Sequence, residues 1–394
     1  MDTAEGIFAS PMSSVYPADV LGFSQLVLDA TAGMAGVVEA MHRTIAGRSL
    51  GGMVGAAYAP VRAITRLAGH GMEAVISPLI KTGGETETSP EREAMLAAVN
   101  GILGDHLAAT ENPLAIRMCL RRHGRPLHLK RVDLKASIVR PSGKLLVLVH
   151  GLCMNDLQWE RRGHNHGAAL ARELGWTPVH LHYNSGLHIS INGRSFARLM
   201  ETLLQQWPVP VRQLAIIGHS SGGLVSRSAY KYGMAARHHW PRHLRKLVFL
   251  GTPHHGAALE RIGNLVNLGL GLSPYSAPLA RIASIRSAGI TDLRHGYLLD
   301  EHWRGTDRFR HSSEFRPVPL PKRVRCSAIA ATIGLNHAIG DGLVSVDSAL
   351  GRHRDPRFAL AFAHDDQWIG SGLNHWDLLD HPAVYRRIQS WLAS

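Results

Sequence analysis

Cysteines, aromatic residues and long apolar runs are scarce in this sequence, and each scarcity excludes a class of protein. The three cysteines, Cys119, Cys153 and Cys326, lie far apart, which excludes a disulfide scaffold and a CxxC metal module. Aromatic residues make up 6% of the chain and do not interleave with basic runs, so we expect no nucleic-acid partner. The longest charge-free tract near the N-terminus, Ser49–Val61, is shorter than the roughly 20 residues of a membrane-spanning helix.

The charge balance differs between the two parts of the chain. The net charge of the whole protein is +13, whereas residues 1–100 carry a net −4 and residues 101–394 a net +17. The arginines that dominate the second part are dispersed, which is typical of a basic solvated surface. The first residues are acidic and lack the basic start and apolar stretch of a secretory signal. We therefore expect a cytoplasmic protein.

The front of the chain predicts helices. Apolar residues recur at the i, i+3, i+4, i+7 spacing of one helix face from Phe23 to Ile45 and again from Val54 to Ile76. Ser89-Pro90-Glu91 then provides an N-cap, a proline at the first helical position and an acid in the first turn. We expect an N-terminal helical region over residues 1–110, which either packs on the main domain or makes a peripheral membrane contact through residues 20–80.

From about residue 128 the pattern alternates between short apolar runs and helical stretches. Such alternation predicts an α/β domain over residues 111–394, with a mostly parallel central sheet and helices on both faces. The predicted strands contain Leu145–Val149, Val179–Tyr183, Leu214–Ile217, Leu247–Leu250, Ala328–Ala331 and Phe358–Phe362.

One motif points to nucleophilic catalysis. Gly218-His-Ser220-Ser-Gly222 follows an apolar strand and precedes a helical segment, which is the context of a nucleophile elbow. At Gly218 or Gly222 a side chain would collide with the neighbouring strand or helix. We expect Ser220 to be the nucleophile at a helix N-terminus, where developing negative charge is stabilised.

Acyl transfer also needs donors for an oxyanion. The strand that ends at Val149 is followed by His150-Gly-Leu152, a turn that can direct the backbone N–H of Leu152 at the substrate oxygen. The backbone N–H of Ser221 is the second expected donor. Cys153 lies beside the turn, but no base is close to it in sequence, and we interpret it as a packed residue.

The acid and the base are expected later in the chain. Asp341 lies in a glycine-flanked loop after a predicted strand, and His375 precedes the last amphipathic helix. The order Ser220, Asp341, His375 is the order of an α/β-hydrolase triad. The alternatives that remain open are Asp347, Asp365 and Asp366 for the acid, and His364 and His381 for the base.

With these motifs in place, the sequence resembles the bacterial lipase-like esterases of the α/β-hydrolase superfamily, related to the GPI-inositol-deacylase-like and lecithin–cholesterol-acyltransferase-like branches. The resemblance covers residues from about 95 to the end, and it implies an α/β-hydrolase fold with Ser220, Asp341 and His375 as the triad. One departure is Ser221, because such elbows usually have Met after the nucleophile. The stretches that carry the resemblance are LVLVHGLCMND, YNSGLHISINGRSFA, LAIIGHSSGGLVSRSA, LVFLGTPHHGAALER, IRSAGITDLRHG, GDGLVSVDSALG and NHWDLLDHPAVY.

The segment 257–310 is too long for a simple crossover, and its apolar residues suit either a helical lid over the serine or packing on the core. Leu265, Val266 and Leu270 are its candidate pocket residues. His254 and His255 have no third ligand at a useful spacing, so we expect no metal and no cofactor.

These features together predict a serine hydrolase that cleaves a small-molecule or lipid-like carboxylic ester through an acyl-enzyme. A thioesterase or an acyltransferase on the same site, and a non-catalytic membrane-docking protein on a hydrolase scaffold, are the alternatives.

Overall fold

Apolar runs of the sequence form the strands of one eight-stranded sheet. The computed structural model describes residues 16–29, 89–258, 287–305, 317–334 and 340–393. The strands are β1 Cys119–Arg122, β2 Arg125–Pro126, β3 Lys144–Val149, β4 Thr177–His182, β5 Gln213–His219, β6 Leu244–Leu250, β7 Arg325–Thr332 and β8 Gln367–Ser371. Their spatial order is β2-β1-β4-β3-β5-β6-β7-β8.

Among the described strands, β3 to β8 pair with one another in parallel, whereas β1 pairs antiparallel with β2 and with β4. The predicted α/β class and mostly parallel sheet are therefore confirmed. The hairpin of β1 and β2 was not predicted, because its strands are rich in arginine rather than apolar residues. His123 and Gly124 form its turn with φ of 51° and 74°, which is the backbone that a two-residue hairpin needs.

Helices follow most of the strands and cover the sheet. They are α1 Pro90–Ala109, α2 Arg131–Ser137, α3 His166–Leu174, α4 Ile189–Gln206, α5 Ser221–Ala235, α6 Trp240–His243, α7 Ala288–His295, α8 Val346–Ala349 and α9 Pro382–Ala393. In the described segments, no helix combines the length and the apolar character that crossing a membrane requires.

The core lies between the sheet and these helices. Every residue from Leu145 to Val149 is fully buried, because β3 lies in the middle of the sheet and has helices over both faces. On one face, Leu146 and Leu148 pack in a cluster with Ile388 and Trp391 of α9. Burying a side chain of this size contributes about 1.5–3 kcal/mol, so the central strands form a rigid support for the turns at their ends.

One predicted strand is wrong. Residues 358–362 form a loop, and the last strand of the sheet is β8, a few residues later. Phe362 packs its ring against Phe249 and His254 at centroid distances of 5.8 and 5.6 Å, so its apolar character serves a loop anchor. Strand β8 lies at the edge of the sheet and is half exposed, which explains why it lacks a continuous apolar run.

The chain divides into two compact units. The first comprises Met1–Glu87 with Ala109–Leu114, and the second comprises Thr88–Ala108 with Ala115–Ser394. In the first unit residues 17–29 are helical, and Asn112 donates from its side chain to the Gly22 carbonyl at 3.0 Å. The predicted boundary at residue 110 and the predicted membrane contact through residues 20–80 stay predictions, because residues 30–88 lie outside the described residues.

Helix α1 begins where the sequence predicts. The Ser89 hydroxyl accepts a hydrogen bond from the Arg92 amide at 3.2 Å, which is the bond of an N-cap. Every residue from Leu96 to Gly104 is buried, including Val99 and Ile102, and Leu107 is buried as well. This helix is thus an internal part of the unit that contains the sheet.

Candidate active site

Ser220 lies in the tight turn between β5 and α5. Its φ of 53° and ψ of −128° fall where side-chain-bearing residues are strained, at a cost of about 1–3 kcal/mol. Two main-chain hydrogen bonds hold the turn: the Ser220 amide donates to the Leu250 carbonyl at 2.8 Å, and the Gly223 amide donates to the Ser220 carbonyl at 3.1 Å. Ser220 therefore precedes the first turn of α5, whose free N–H groups favour negative charge.

The two glycines of the motif allow close backbone contact at this turn. A Cβ atom at Gly218 would lie 2.6 Å from the Cα of Gly223, and one at Gly222 would lie 2.5 Å from the His150 carbonyl oxygen. Real side chains do not approach backbone atoms so closely. The collisions expected from the sequence are thus present, and they fix α5 against the end of β3.

The turn after β3 lies beside the serine. A Cβ atom at Gly151 would be 3.0 Å from the Cβ of Ser220, and Leu152 is 1% exposed. The amide of Ser221 is the first of α5, so it has no acceptor within the helix. Among the described residues, neither this amide nor that of Leu152 has a hydrogen-bond acceptor. Both amides are therefore available at the position where the sequence expects an oxyanion hole.

Helix α1 supports this turn from behind. Cys153 has a positive φ of 58°, and its amide donates to the Ser185 hydroxyl at 3.1 Å. A Cβ atom at Gly101 would lie 2.9 Å from both the Cα and the amide nitrogen of Cys153. Burial raises the pKa of the Cys153 thiol to about 12, so this residue is a protonated packing group. The small residues of α1 were the only sequence signal of this contact.

Asp341 and His375 form a buried pair. Asp341 follows β7 and His375 follows β8, and their exposed fractions are 2% and 1%. The His375 Nδ1 lies 2.6 Å from the Asp341 Oδ2. The other carboxylate oxygen accepts from the amides of Leu343 at 2.9 Å and Val344 at 2.7 Å. An acceptor-only carboxylate makes Nδ1 the protonated nitrogen of a neutral His375, and it leaves Nε2 as the basic atom.

Nε2 of His375 is buried and has no hydrogen-bond partner within the described part of the chain. A buried polar atom without a partner is costly, and such atoms are common where a substrate completes the site. The amide of His375 donates to the Asp341 carbonyl at 3.0 Å, so the side chain and the main chain of this histidine are fixed by the same acid.

The alternative acids have other partners. The Asp347 side chain is 75% exposed and lies 3.7 Å from Arg352, and Asp365 is 94% exposed. Asp366 pairs with Arg325 at 2.7 Å. Within the described part of the chain, none of the five alternative residues for the acid or the base forms a hydrogen bond with the ring of His375.

The alternative bases lie at other positions. His364 is fully exposed. His381 accepts at Nδ1 from the Ala383 amide at 3.3 Å, which is a helix-start contact of α9. Of the residues expected from the sequence, Asp341 and His375 are thus brought together, and Ser220, Leu152 and Ser221 lie at the same carboxyl edge of the sheet.

Two buried histidines of the site were not singled out from the sequence. His150, the first residue of the turn after β3, donates from Nδ1 to the Gly151 carbonyl at 2.9 Å, and burial lowers its pKa to about 3. His219 immediately precedes Ser220 and contacts His375. Burial, followed by the proximity of His375, holds the pKa of His219 well below its usual range. The position of His219 directly before Ser220 in the motif from Gly218 to Gly222 was the available sequence signal.

Other expectations from the sequence remain predictions or have structural partners. Leu265, Val266 and Leu270 lie outside the described residues, so the lid over 257–310 stays a prediction. His254 is buried and lies 3.2 Å from the Arg227 guanidinium. In the described ranges, no cluster of three or more His, Cys, Asp or Glu side chains is arranged to hold a metal.

The model of the PGAP1-like alpha/beta domain matches residues 194–318, a segment that contains Ser220 and ends before Asp341. No curated protein matches the chain in sequence.

Solved structures that the chain resembles are hydrolases at low sequence identity. A mature Bacillus licheniformis lipase is 19% identical, with 65% of this chain and 95% of that chain covered and a TM-score of 0.42. An α/β hydrolase from the metagenome of Mar Chica lagoon sediments is 16% identical, with coverages of 64% and 91% and a TM-score of 0.35. A Pyrococcus furiosus esterase is 12% identical, with coverages of 64% and 81% and a TM-score of 0.36.

The strand order, the strained serine between β5 and α5 and the family match agree with one another. They confirm the resemblance on which the sequence interpretation rested. The chain has the mostly parallel sheet of an α/β-hydrolase fold, and its residues 194–318 resemble the PGAP1-like alpha/beta domain.

Proposed function

We propose that the protein is a serine hydrolase that cleaves carboxylic esters through Ser220, His375 and Asp341. The observation that carries this proposal is the buried pair of His375 and Asp341, 2.6 Å apart, at the same edge of the sheet as a serine in a strained turn. The pair leaves the basic Nε2 of His375 without a partner among the described residues. A structural pair would gain nothing from that arrangement.

In the proposed reaction, the Ser220 hydroxyl attacks the ester carbonyl and its proton passes to Nε2 of His375. The carbonyl oxygen takes the negative charge and accepts from the amides of Leu152 and Ser221. The tetrahedral intermediate then expels the alcohol, which receives the proton from His375. Water repeats the sequence on the acyl-enzyme and releases the acid.

Asp341 has two parts in this scheme. Its Oδ2 fixes the tautomer of His375 and stabilises the imidazolium, and its Oδ1 is held by the amides of Leu343 and Val344. Hydrogen bonds from these two amides stabilise the negative charge of the carboxylate, which faces the imidazolium that forms on His375. In each step the proton is accepted and returned by His375 alone.

The test uses the full chain and a series of p-nitrophenyl esters from acetyl to palmitoyl. We expect hydrolysis by the wild type and a loss of about 10³-fold or more in kcat/KM for His375→Gln. The matched control is His364→Gln, at an exposed histidine that we expect to be unimportant. Equal activity of the His375→Gln variant and the wild type would contradict the proposal.

The same series identifies the reaction among related alternatives. Faster cleavage of acyl thioesters than of matched oxygen esters would indicate a thioesterase. An ester product formed with an added alcohol would indicate an acyltransferase, because the acyl-enzyme would then react with that alcohol in place of water. Absence of turnover with every substrate would favour the non-catalytic membrane-docking alternative.

A further inference from the structure

His219 connects the two parts of the candidate site. It is the last residue of β5 and directly precedes Ser220, and its side chain is completely buried. Its ring lies 4.6 Å from the ring of His375, centroid to centroid. A Cβ atom at Gly151 would lie 3.4 Å from its Nδ1. The side chain of His219 thus contacts His375 and approaches the turn after β3. The next residue along the main chain is Ser220.

A single hydrogen bond joins His219 to the base. Its Nε2 lies 3.2 Å from the main-chain carbonyl oxygen of His375. A carbonyl oxygen can only accept, so the proton of a neutral His219 must be on Nε2. Its Nδ1 is buried and has no partner in the described part of the chain, as expected of the unprotonated nitrogen.

This bond completes the support of His375. Asp341 fixes the Nδ1 atom and the amide of His375, and His219 fixes the carbonyl. Of the four polar atoms of His375, only Nε2 is left without a partner among the described residues. The two flanking aromatic rings, Trp159 and Trp376, lie 6.4 and 6.1 Å from the His219 ring and restrict its rotation.

The charge of His219 matters as well as its place. A protonated His219 would face the imidazolium that forms on His375 during turnover, and like charges at this distance repel. Complete burial and the neighbouring His375 keep the pKa of His219 well below its usual range. The positive charge of the reaction is therefore confined to His375.

We infer that His219 is a positioning residue: its side chain donates from Nε2 to the His375 carbonyl. This bond holds the loop that contains His375 against the turn that contains Ser220. This inference rests on the proposed function, since it assigns His375 as the base. His219 touches no reacting atom in this scheme and acts only through His375.

Two substitutions separate the hydrogen bond from the packing. His219→Gln keeps a donor at a similar reach, whereas His219→Leu fills the space without a donor. We expect the leucine variant to lose about 10–100-fold in kcat with KM nearly unchanged, because a small displacement of a catalytic group has an effect of this size. We expect the glutamine variant to retain most of the activity.

The result that would overturn the inference is an equal kcat for the leucine variant and the wild type, or a glutamine variant as slow as the leucine variant. The rescue by glutamine distinguishes positioning from general destabilisation, since both variants remove the imidazole. If the leucine variant does not fold, His219→Asn replaces it, because its shorter amide keeps polarity and loses the reach to the carbonyl.

A spectroscopic measurement does not depend on activity. Long-range ¹H–¹⁵N spectra of the ¹⁵N-histidine-labelled full chain, assigned by the signal missing in His219→Gln, report the tautomer of His219. We expect the Nε2–H form, unchanged between about pH 5.5 and 8. An Nδ1–H form, or titration in this range, would contradict the inference. A wild type without hydrolase activity contradicts the proposed function, and these spectra still decide whether the bond to His375 exists.

Discussion

The two sides of the candidate site are built in different ways. The nucleophile side consists of the turns at 150–153 and 218–222, and it depends on glycines, a strained serine and the start of α5. The acid–base side consists of the loop at 340–345 and the loop at 372–377, and it depends on hydrogen bonds between residues such as Asp341 and His375, 34 positions apart.

This difference determines which kind of substitution disrupts each side. Backbone collisions fix the nucleophile side, so adding a single carbon atom disrupts it. The acid–base side lies on loops and is fixed by side-chain and main-chain hydrogen bonds, so removing one charge or one donor disrupts it. His219 is a described contact through which the two sides meet, because it is the last residue of β5 and donates to the His375 carbonyl.

The largest expected effect is at the nucleophile. Ser220→Ala removes the attacking oxygen, and kcat/KM for p-nitrophenyl esters should fall by about 10⁴–10⁶-fold. The measurement is hydrolysis by the purified full chain, with Ser137→Ala on the exposed helix α2 as the control. A residual activity within tenfold of the wild type would show that another residue attacks the ester.

The acid–base side is tested next by Asp341→Asn. The amide cannot stabilise the imidazolium and it favours the wrong tautomer of His375, so kcat should fall by about 10³–10⁴-fold. Asp347→Asn is the matched control, because that carboxylate is exposed and lies 3.7 Å from Arg352. Equal losses in the two variants would remove Asp341 from the role of acid.

A smaller effect is expected at the contact between α1 and the turn after β3. Gly101→Ala places a carbon atom 2.9 Å from the backbone of Cys153, so α1 or the turn must shift. Overpacking of this kind costs about 1–3 kcal/mol of unfolding free energy, and displacement of the Leu152 amide should lower kcat about 10–100-fold.

The control for this contact is Ala108→Leu, at an exposed position of the same helix. It should change neither the unfolding midpoint nor kcat appreciably. If Gly101→Ala has wild-type kinetics at a normal melting temperature, α1 is a cover of the domain and does not position the turn.

The smallest effect concerns stability against acid. His166 is fully buried in α3, and burial lowers its pKa to about 3 from 6.5. Between pH 6.5 and 3 the unfolded chain binds a proton at this residue and the folded chain does not. The free energy of unfolding therefore decreases as the pH falls from 6.5 towards 3. His166→Gln should lower the slope of the unfolding free energy by about 1.4 kcal/mol per pH unit in this window.

Denaturant unfolding at several pH values between about 4 and 7 measures this slope. His364→Gln is the control, because that side chain is fully exposed. Equal slopes for the wild type and His166→Gln would mean that His166 is protonated in the folded protein.

The turn between β5 and α5 could be predicted from the sequence because its determinants are local. The strand, the motif from Gly218 to Gly222 and the following helix are contiguous, and the elbow in the structure occupies the expected positions. The acid–base side needed a choice among several late Asp and His residues, and only the fold shows which two meet. The strand predicted at 358–362 failed because apolar residues there anchor a loop.

Contacts between distant segments could not be predicted. Helix α1 touches Cys153 through a glycine, and a glycine at a close contact leaves no pattern that distinguishes it from one on a surface. His219 is visible in the motif, yet its partner is the main-chain carbonyl of residue 375, which has no side-chain signal at all. Such contacts depend on tertiary packing and not on periodicity.

The most direct test of the central claim is to map the adduct of a fluorophosphonate probe on the full chain by mass spectrometry. We predict one adduct, on Ser220, formed much more slowly in His375→Gln than in His364→Gln. No adduct, an adduct on another residue, or an equal labelling rate in the two histidine variants would contradict it.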